Sequence, residues 1–200
     1  MKQYPSMSQE IRNIPAYVFD KLDGSNIRAE WHPKKGFWKF GSKTRLLGTD
    51  QLWINAADQL IRQKYEDELS KVFRKERYEK AVAFFEFYGE NSFAGHHKEE
   101  EHKVVLFDIS PHKKGFLPPD EFLKLFGHLD VPKLLYRGNI NQPFVESVRK
   151  SELPGITFEG VVCKAKMSHE ILMFKIKTLK WLERLKGFCH GNQLLFDQLK

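Results

Sequence analysis

Asp20-Lys21-Leu22-Asp23-Gly24-Ser25-Asn26 places an amine, two carboxylates and a turn glycine within seven residues. The apolar, β-prone run Ala16-Tyr17-Val18-Phe19 leads into it, so Lys21 is expected where a strand meets a bend. Taken alone, the stretch is a polar turn between two strands. The residues around it decide between that role and a chemical one for the lysine.

Working outward from the bend, Ile27 to Trp31 alternates its faces, and Phe37 to Phe40 follows the turn His32-Pro33-Lys34-Lys35-Gly36. A three-strand meander with Lys21 at its first bend is expected. Residues 1–14 are polar and are read as an arm. Ser42-Lys43-Thr44-Arg45 is a basic loop leading to one or two helices between Asp50 and Tyr78, where apolar residues recur at helical spacing. Residues 81–90 form a central apolar strand ending at Gly89-Glu90, and a polar loop over 91–102 carries His96, His97 and His102 at a spacing that fits no zinc motif. A second buried strand runs from Val104 to Ile109, and a helix begins near Pro118-Pro119-Asp120 with Asp120 as its cap. Residues Val131 to Asn141 read as a loop, 143–150 as a short helix, and 157–164 and 171–177 as two closing strands. The tail is one or two basic helices broken near Gly187 to Gly191.

The 200 residues suffice for one well-buried core, and a single domain is expected. With 41% hydrophobic residues and 17 Phe, the chain is globular despite being 30% charged. Two cysteines, Cys163 and Cys189, are too few for a disulfide scaffold. No apolar run reaches the length of a membrane span and the N-terminus lacks a secretory core, so an intracellular, cytoplasmic protein with no membrane partner is expected. The net charge of +7 favours a polyanionic partner such as nucleic acid.

The expected strands end in ionisable residues in a particular order. Lys21-Leu22-Asp23-Gly24 is followed by Phe87-Tyr88-Gly89-Glu90, Val105-Leu106-Phe107-Asp108, Glu159-Gly160-Val161-Val162-Cys163-Lys164 and Phe174-Lys175-Ile176-Lys177. In that order the five resemble the motifs of the covalent nucleotidyltransferases, the superfamily of polynucleotide ligases and mRNA capping enzymes. Each alone has an ordinary explanation: an amphipathic strand for Lys175 and Lys177, a core phenylalanine for Phe107, a strand end for Glu90 and Glu159. Five ordered matches across the chain are what single them out. Lys-x-Asp-Gly-Ser-Asn, with Asn26 where DNA ligases and capping enzymes commonly carry arginine, looks most like the second group of RNA ligases. The loop containing Arg45 resembles a basic loop of that group. Asp20 departs from the glutamate usual before the lysine, and Asp23 stands where some RNA ligases have histidine.

The resemblance implies an α/β fold of α+β type, an ATP-grasp-like nucleotidyltransferase domain with antiparallel sheets flanked by helices and a nucleotide pocket between the sheets. It also implies ATP and Mg²⁺, or Mn²⁺ in its place, as cofactors. Lys21 would attack the α-phosphorus of ATP and carry AMP. A lysine with its reference pKa of about 10.4 is protonated near neutral pH, so the attack needs surroundings that release the amine. By the same resemblance Phe107 would stack on adenine, and Glu90 would meet the ribose hydroxyl or a metal-bound water. Glu159 would bind metal, and Asp23 would orient the site or its metal. Arg45, Lys164, Lys175 and Lys177 would hold phosphates, with Asn26 and Arg45 turned towards nucleic acid.

The function expected is ATP-dependent joining of RNA 5′-phosphate and 3′-hydroxyl ends, at nicks or free ends, by a monomer. The alternatives are a DNA ligase or capping-type guanylyltransferase, and a binding module that kept the fold without turnover. Twenty-three residues follow Lys177 (200 − 177). No appended OB-fold or large C-terminal domain is therefore expected, only a minimal ligase or a catalytic domain.

Overall fold

Lys21 is the last residue of strand β1 (Pro15–Lys21), and the strand that follows it in sequence joins a different sheet. The computed structural model describes residues 1–43, 46, 52–90, 99–168 and 170–200, with the backbone alone over 52–55. These divide into two compact units, one holding 1–5 and the described part of 24–131, the other 6–23 and the described part of 132–200.

In the first unit, β2 (Ser25–His32), β3 (Gly36–Ser42), β4 (Ala81–Tyr88) and β5 (Lys103–Pro111) form an antiparallel sheet in the order β3-β2-β4-β5. Helix α1 (Leu52–Lys75) covers it as one continuous rod. Ala57, Ile61, Tyr65, Leu69 and Phe73, four residues apart, make an apolar stripe against Trp31, Phe37, Phe85 and Leu106. Helix α2 (Pro119–Phe126) adds Phe122 and Phe126 to this core. Its cap is Pro118, with Pro119 opening the helix and Asp120 inside the first turn, so the capping role expected of Asp120 is corrected.

In the second unit, β1 lies between β6 (Leu134–Asn139) and β7 (Gly160–Lys166), with β8 (Ile171–Lys177) beyond β7, all antiparallel. Helix α3 (Gln142–Arg149) presents Phe144, Val145 and Val148 to Val18, Val161, Cys163, Phe174 and Ile176. Helices α4 (Leu179–Phe188) and α5 (Gln193–Leu199) complete the unit.

The expected meander holds only as the β2–β3 hairpin. β1 is paired on both edges with strands more than a hundred residues away, and those pairings bury Ala16, Val18 and Phe19. The loop expected over Val131 to Asn141 contains β6. The arm is tied down at two points: Tyr4 is buried in the first unit, and Ser8 forms a parallel bridge with Phe174 in the second. Most of the histidine-bearing loop, residues 91–98, lies outside the described residues.

Candidate active site

Strand register places the motif lysines. Across β1, β7 and β8 the aligned rows are Lys21–Gly160–Lys177, Phe19–Val162–Lys175 and Tyr17–Lys164–Met173. Side chains alternate between faces along a strand, so Lys21, Lys164, Lys175 and Lys177 share one face while Val161, Cys163, Phe174 and Ile176 take the other, against α3. Four cations on one face of a small sheet suit a polyphosphate.

Glu159, just before β7, is the carboxylate on which two of these lysines converge. Lys21 Nζ donates to its Oε2 at 2.7 Å, and Lys177 Nζ donates to its Oε1. Gly160 makes this convergence sterically feasible. Its φ is +145°, and a Cβ there would collide with the carbonyl oxygen of Ile176 and stand 2.9 Å from Lys177 Cα. Lys177 is only 9% exposed, so it is not the outward, solvated residue of an ordinary amphipathic strand. Burial brings its pKa down to about 8, although Glu159 pulls the other way. Its ammonium sits 3.6 Å from the ring centroid of Trp181.

Trp181 also reaches Asp23. Thr178 caps α4 by accepting from Trp181 N at 3.1 Å, which fixes the first turn of the helix, and the indole Nε1 then donates to Asp23 Oδ2 at 3.2 Å. Burial, reinforced by the charge of Glu159, raises the Asp23 carboxyl to about 6, with Trp181, Lys21 and Lys177 opposing the rise. Asp20, buried on the opposite side of β1, accepts from Thr157 N at 3.0 Å and so anchors the loop that leads to Glu159. Its burial raises its pKa. Lys164 lies 5.3 Å from the Phe19 ring, and Lys175 donates to the Lys200 carbonyl at 2.9 Å.

The remaining expected residues that the structure describes belong to the first unit. Phe107 is the extra residue of a β-bulge, since Phe84 pairs with Asp108 and Phe85 with Leu106. Bulges re-aim side chains, and Phe107 is left half-buried with its ring 4.9 Å from Tyr4 in an edge-on contact. Glu90 is exposed beyond β4, its backbone held by Glu100 and His102. Asn26, on β2, has a buried Oδ1 that meets no donor among the described residues, and a donor supplied by a ligand would satisfy it. Arg45 lies outside the described residues.

Among the described residues no group of three or more His, Cys, Asp or Glu gathers as a metal cage. Glu159 and Asp23 do offer carboxylate oxygens. That donor set fits a hard divalent cation that takes its other ligands from phosphates and water, as Mg²⁺ commonly does.

The RNA ligase family model matches residues 14–182, most of the chain. The chain belongs to the RNA ligase family. No curated protein matches it. Among solved structures, this RNA ligase family member is similar to an RNA ligase of Naegleria gruberi in a variant form with AMP and Mn, at 18% identity and a TM-score of 0.65, over 85% of this chain and 51% of that one. The N. gruberi enzyme with PPi gives 20% identity and a TM-score of 0.64, over 86% and 52%. An apo variant gives 17% and 0.65, over 91% and 59%. The likeness shows a shared fold, and the chain spans about half the length of the structures it matches. Trp181 and Tyr4 were not among the residues singled out from the sequence. The available signals were an aromatic three residues after a Thr cap directly behind Lys175-Ile176-Lys177, and a tyrosine in an otherwise polar arm.

Proposed function

We propose that this chain is an ATP-dependent RNA ligase working through a lysyl-AMP intermediate, with Lys21 as the nucleophile. The observation that carries the proposal is the shared carboxylate: Lys21 and Lys177 flank Gly160 and both bond Glu159. An amine ion-paired to a carboxylate is protonated and inert, so the pair is a resting arrangement. Glu159 holds the Lys21 ammonium in place by accepting its hydrogen bond, and the two protons that the nitrogen sheds on becoming a phosphoramidate pass to water, a loss favoured by the neighbouring Lys177 ammonium. The freed amine forms the N–P bond to the α-phosphorus, the bond to the bridging oxygen breaks, and pyrophosphate leaves. Lys177, with Lys164 and Lys175 on the same face, stabilises charge on the transferring group. Glu159 and Asp23 would hold Mg²⁺ or Mn²⁺, which when bound neutralises phosphate charge. To Glu90, Phe107, Asn26 and Arg45 we assign the ribose, adenine and nucleic-acid contacts that the family resemblance implies. Residues 1–200 would act as a single adenylyltransferase domain, as a monomer. Asn26 favours the second group of RNA ligases and a role in repairing RNA ends.

The test is incubation with ATP labelled at the α-phosphate and a divalent cation. An acid-labile protein adduct is expected, lost in Lys21→Ala; no adduct, or one that persists in that variant, refutes the proposal. Nicked duplexes with RNA or DNA strands decide the substrate, and sealing of DNA alone would transfer the reading to DNA ligase. Label from GTP in place of ATP would indicate capping chemistry.

A further inference from the structure

The β2–β3 hairpin carries a group that the motif residues do not use. Between Lys34 and Lys39 the chain reads Lys-Lys-Gly-Phe-Trp-Lys, three lysines and no acid. Phe37 and Phe40 enter the core of the first unit, while Trp38 is left half-buried. In the register Glu30 pairs with Lys39 and Trp31 with Phe37, so Trp38 is the unpaired residue of a bulge. β3 is an outer strand of its sheet among the described residues. The ammonium groups of Lys35 and Lys39 lie 4.5 and 4.1 Å from the Trp38 ring centroid. The indole Nε1 is buried and has no acceptor among the described residues.

These features fit together as a site for an anion. Two ammonium groups held near one ring repel each other, and a bound anion offsets that repulsion. A buried N–H without an acceptor is costly, and an oxygen arriving with that anion removes the cost. The nearby carboxylates are largely engaged. Glu66 accepts from Phe37 N at 3.0 Å and pairs with Arg62, and Glu30 pairs with the N-terminal amine at 4.0 Å. A phosphodiester supplies both the charge and the acceptor oxygens, and a single strand also brings unpaired bases that can stack on an indole.

We propose that Trp38, Lys35 and Lys39, none of them a motif residue, form a contact site for the backbone of single-stranded RNA. The substrate class rests on the ligase reading above; the site itself rests on the hairpin. The test measures binding of the full chain to a 5′-phosphorylated single-stranded RNA by fluorescence anisotropy across a salt series, in parallel with adduct formation from labelled ATP. In Lys35→Ala/Lys39→Ala the slope of log affinity against log salt should fall by about 1.4, two phosphate contacts at roughly 0.7 each for a single strand. In Trp38→Phe, which keeps a ring and removes the N–H, affinity should fall about fivefold. The adduct should form at the wild-type rate in both. Unchanged affinity and salt slope in folded variants would overturn the site, as would parallel losses of binding and adduct formation. A wild-type chain that binds RNA but never forms an adduct would instead refute the ligase reading and leave the hairpin measurement intact.

Discussion

The indole N–H of Trp181 donates to Asp23 Oδ2 across 158 residues of sequence, tying the first turn of α4 to the bend behind Lys21. The contact holds a carboxylate where burial and Glu159 both disfavour its charge. Ionisable groups perturbed in this way cluster at functional sites.

That arrangement gives a pH signature with a definite sign. The folded chain binds the Asp23 proton more tightly than the unfolded chain, because burial raises the carboxyl to about 6. Between pH about 4 and 6 the folded state therefore carries more protons, and this group makes stability fall as pH rises through that window. The penalty is fully present above about pH 6 and, for roughly two pKa units, is on the order of 3 kcal/mol. Asp23→Asn should raise the melting temperature at pH 7 by several degrees, with the advantage gone near pH 4, and should impair adduct formation. Thermal melts across pH check the first part. A variant less stable than wild type at pH 7 would count against it.

Gly160 is the second point of leverage. Alanine there would strain a positive φ and push against Ile176 and Lys177 Cα, parting β7 from β8 where Lys21 and Lys177 converge. A loss of about 1–3 kcal/mol from the backbone alone is expected. The adduct should fall by more than the loss of folded protein accounts for. Denaturant unfolding alongside labelled-ATP assays separates the two effects.

Lys177 should make nucleotide binding pH-dependent. With its pKa brought down to about 8 by burial, it is largely charged at neutral pH and largely neutral by about pH 9. Measured with an ATP analogue whose α,β-bridge cannot be cleaved, so that Lys21 stays in place and no adduct forms, nucleotide affinity should weaken over that interval by up to about tenfold. Lys177→Met should bind weakly throughout and show little of this pH dependence. Calorimetric titrations at several pH values would show whether the dependence disappears with the lysine.

The parts of the molecule legible from sequence were those set by local periodicity. The period of two in Phe174-Lys175-Ile176-Lys177 gave a strand with both lysines on one face, and β8 has the expected bounds. The ordered motifs likewise marked Lys21 and Glu159, which the structure brings into contact. Partner choice between strands was not legible. Nothing in Gly24-Ser25 says that the chain changes sheets there, because β1 is fixed by β6 and β7 rather than by its neighbour in sequence. β6 was hidden for a similar reason: Leu134-Leu135-Tyr136-Arg137 shows no alternation and is a strand only by pairing with β1. Trp181 and Tyr4 act through contacts 158 and 104 residues apart, which no local window contains.

Tyr4 yields the last prediction. Its hydroxyl donates to Asp108 Oδ2 at 2.9 Å, and its ring meets Phe84, Phe107 and Phe116 edge-on at centroid distances of 5.1, 4.9 and 5.2 Å. Phe107, on its bulge, thus has its orientation set in part by a residue of the N-terminal arm. Tyr4→Phe keeps the ring and loses the bond to Asp108, at a cost of about 1–2 kcal/mol in stability with little change in ATP use. Tyr4→Ala removes the edge-on support as well, so the apparent KM for ATP in adduct formation should rise about tenfold while the limiting rate stays near wild type. If Tyr4 serves only to hold the fold, the two variants should differ in melting temperature but not in KM. A tenfold rise in KM confined to Tyr4→Ala would instead mark Tyr4 as the residue that positions Phe107 for the base.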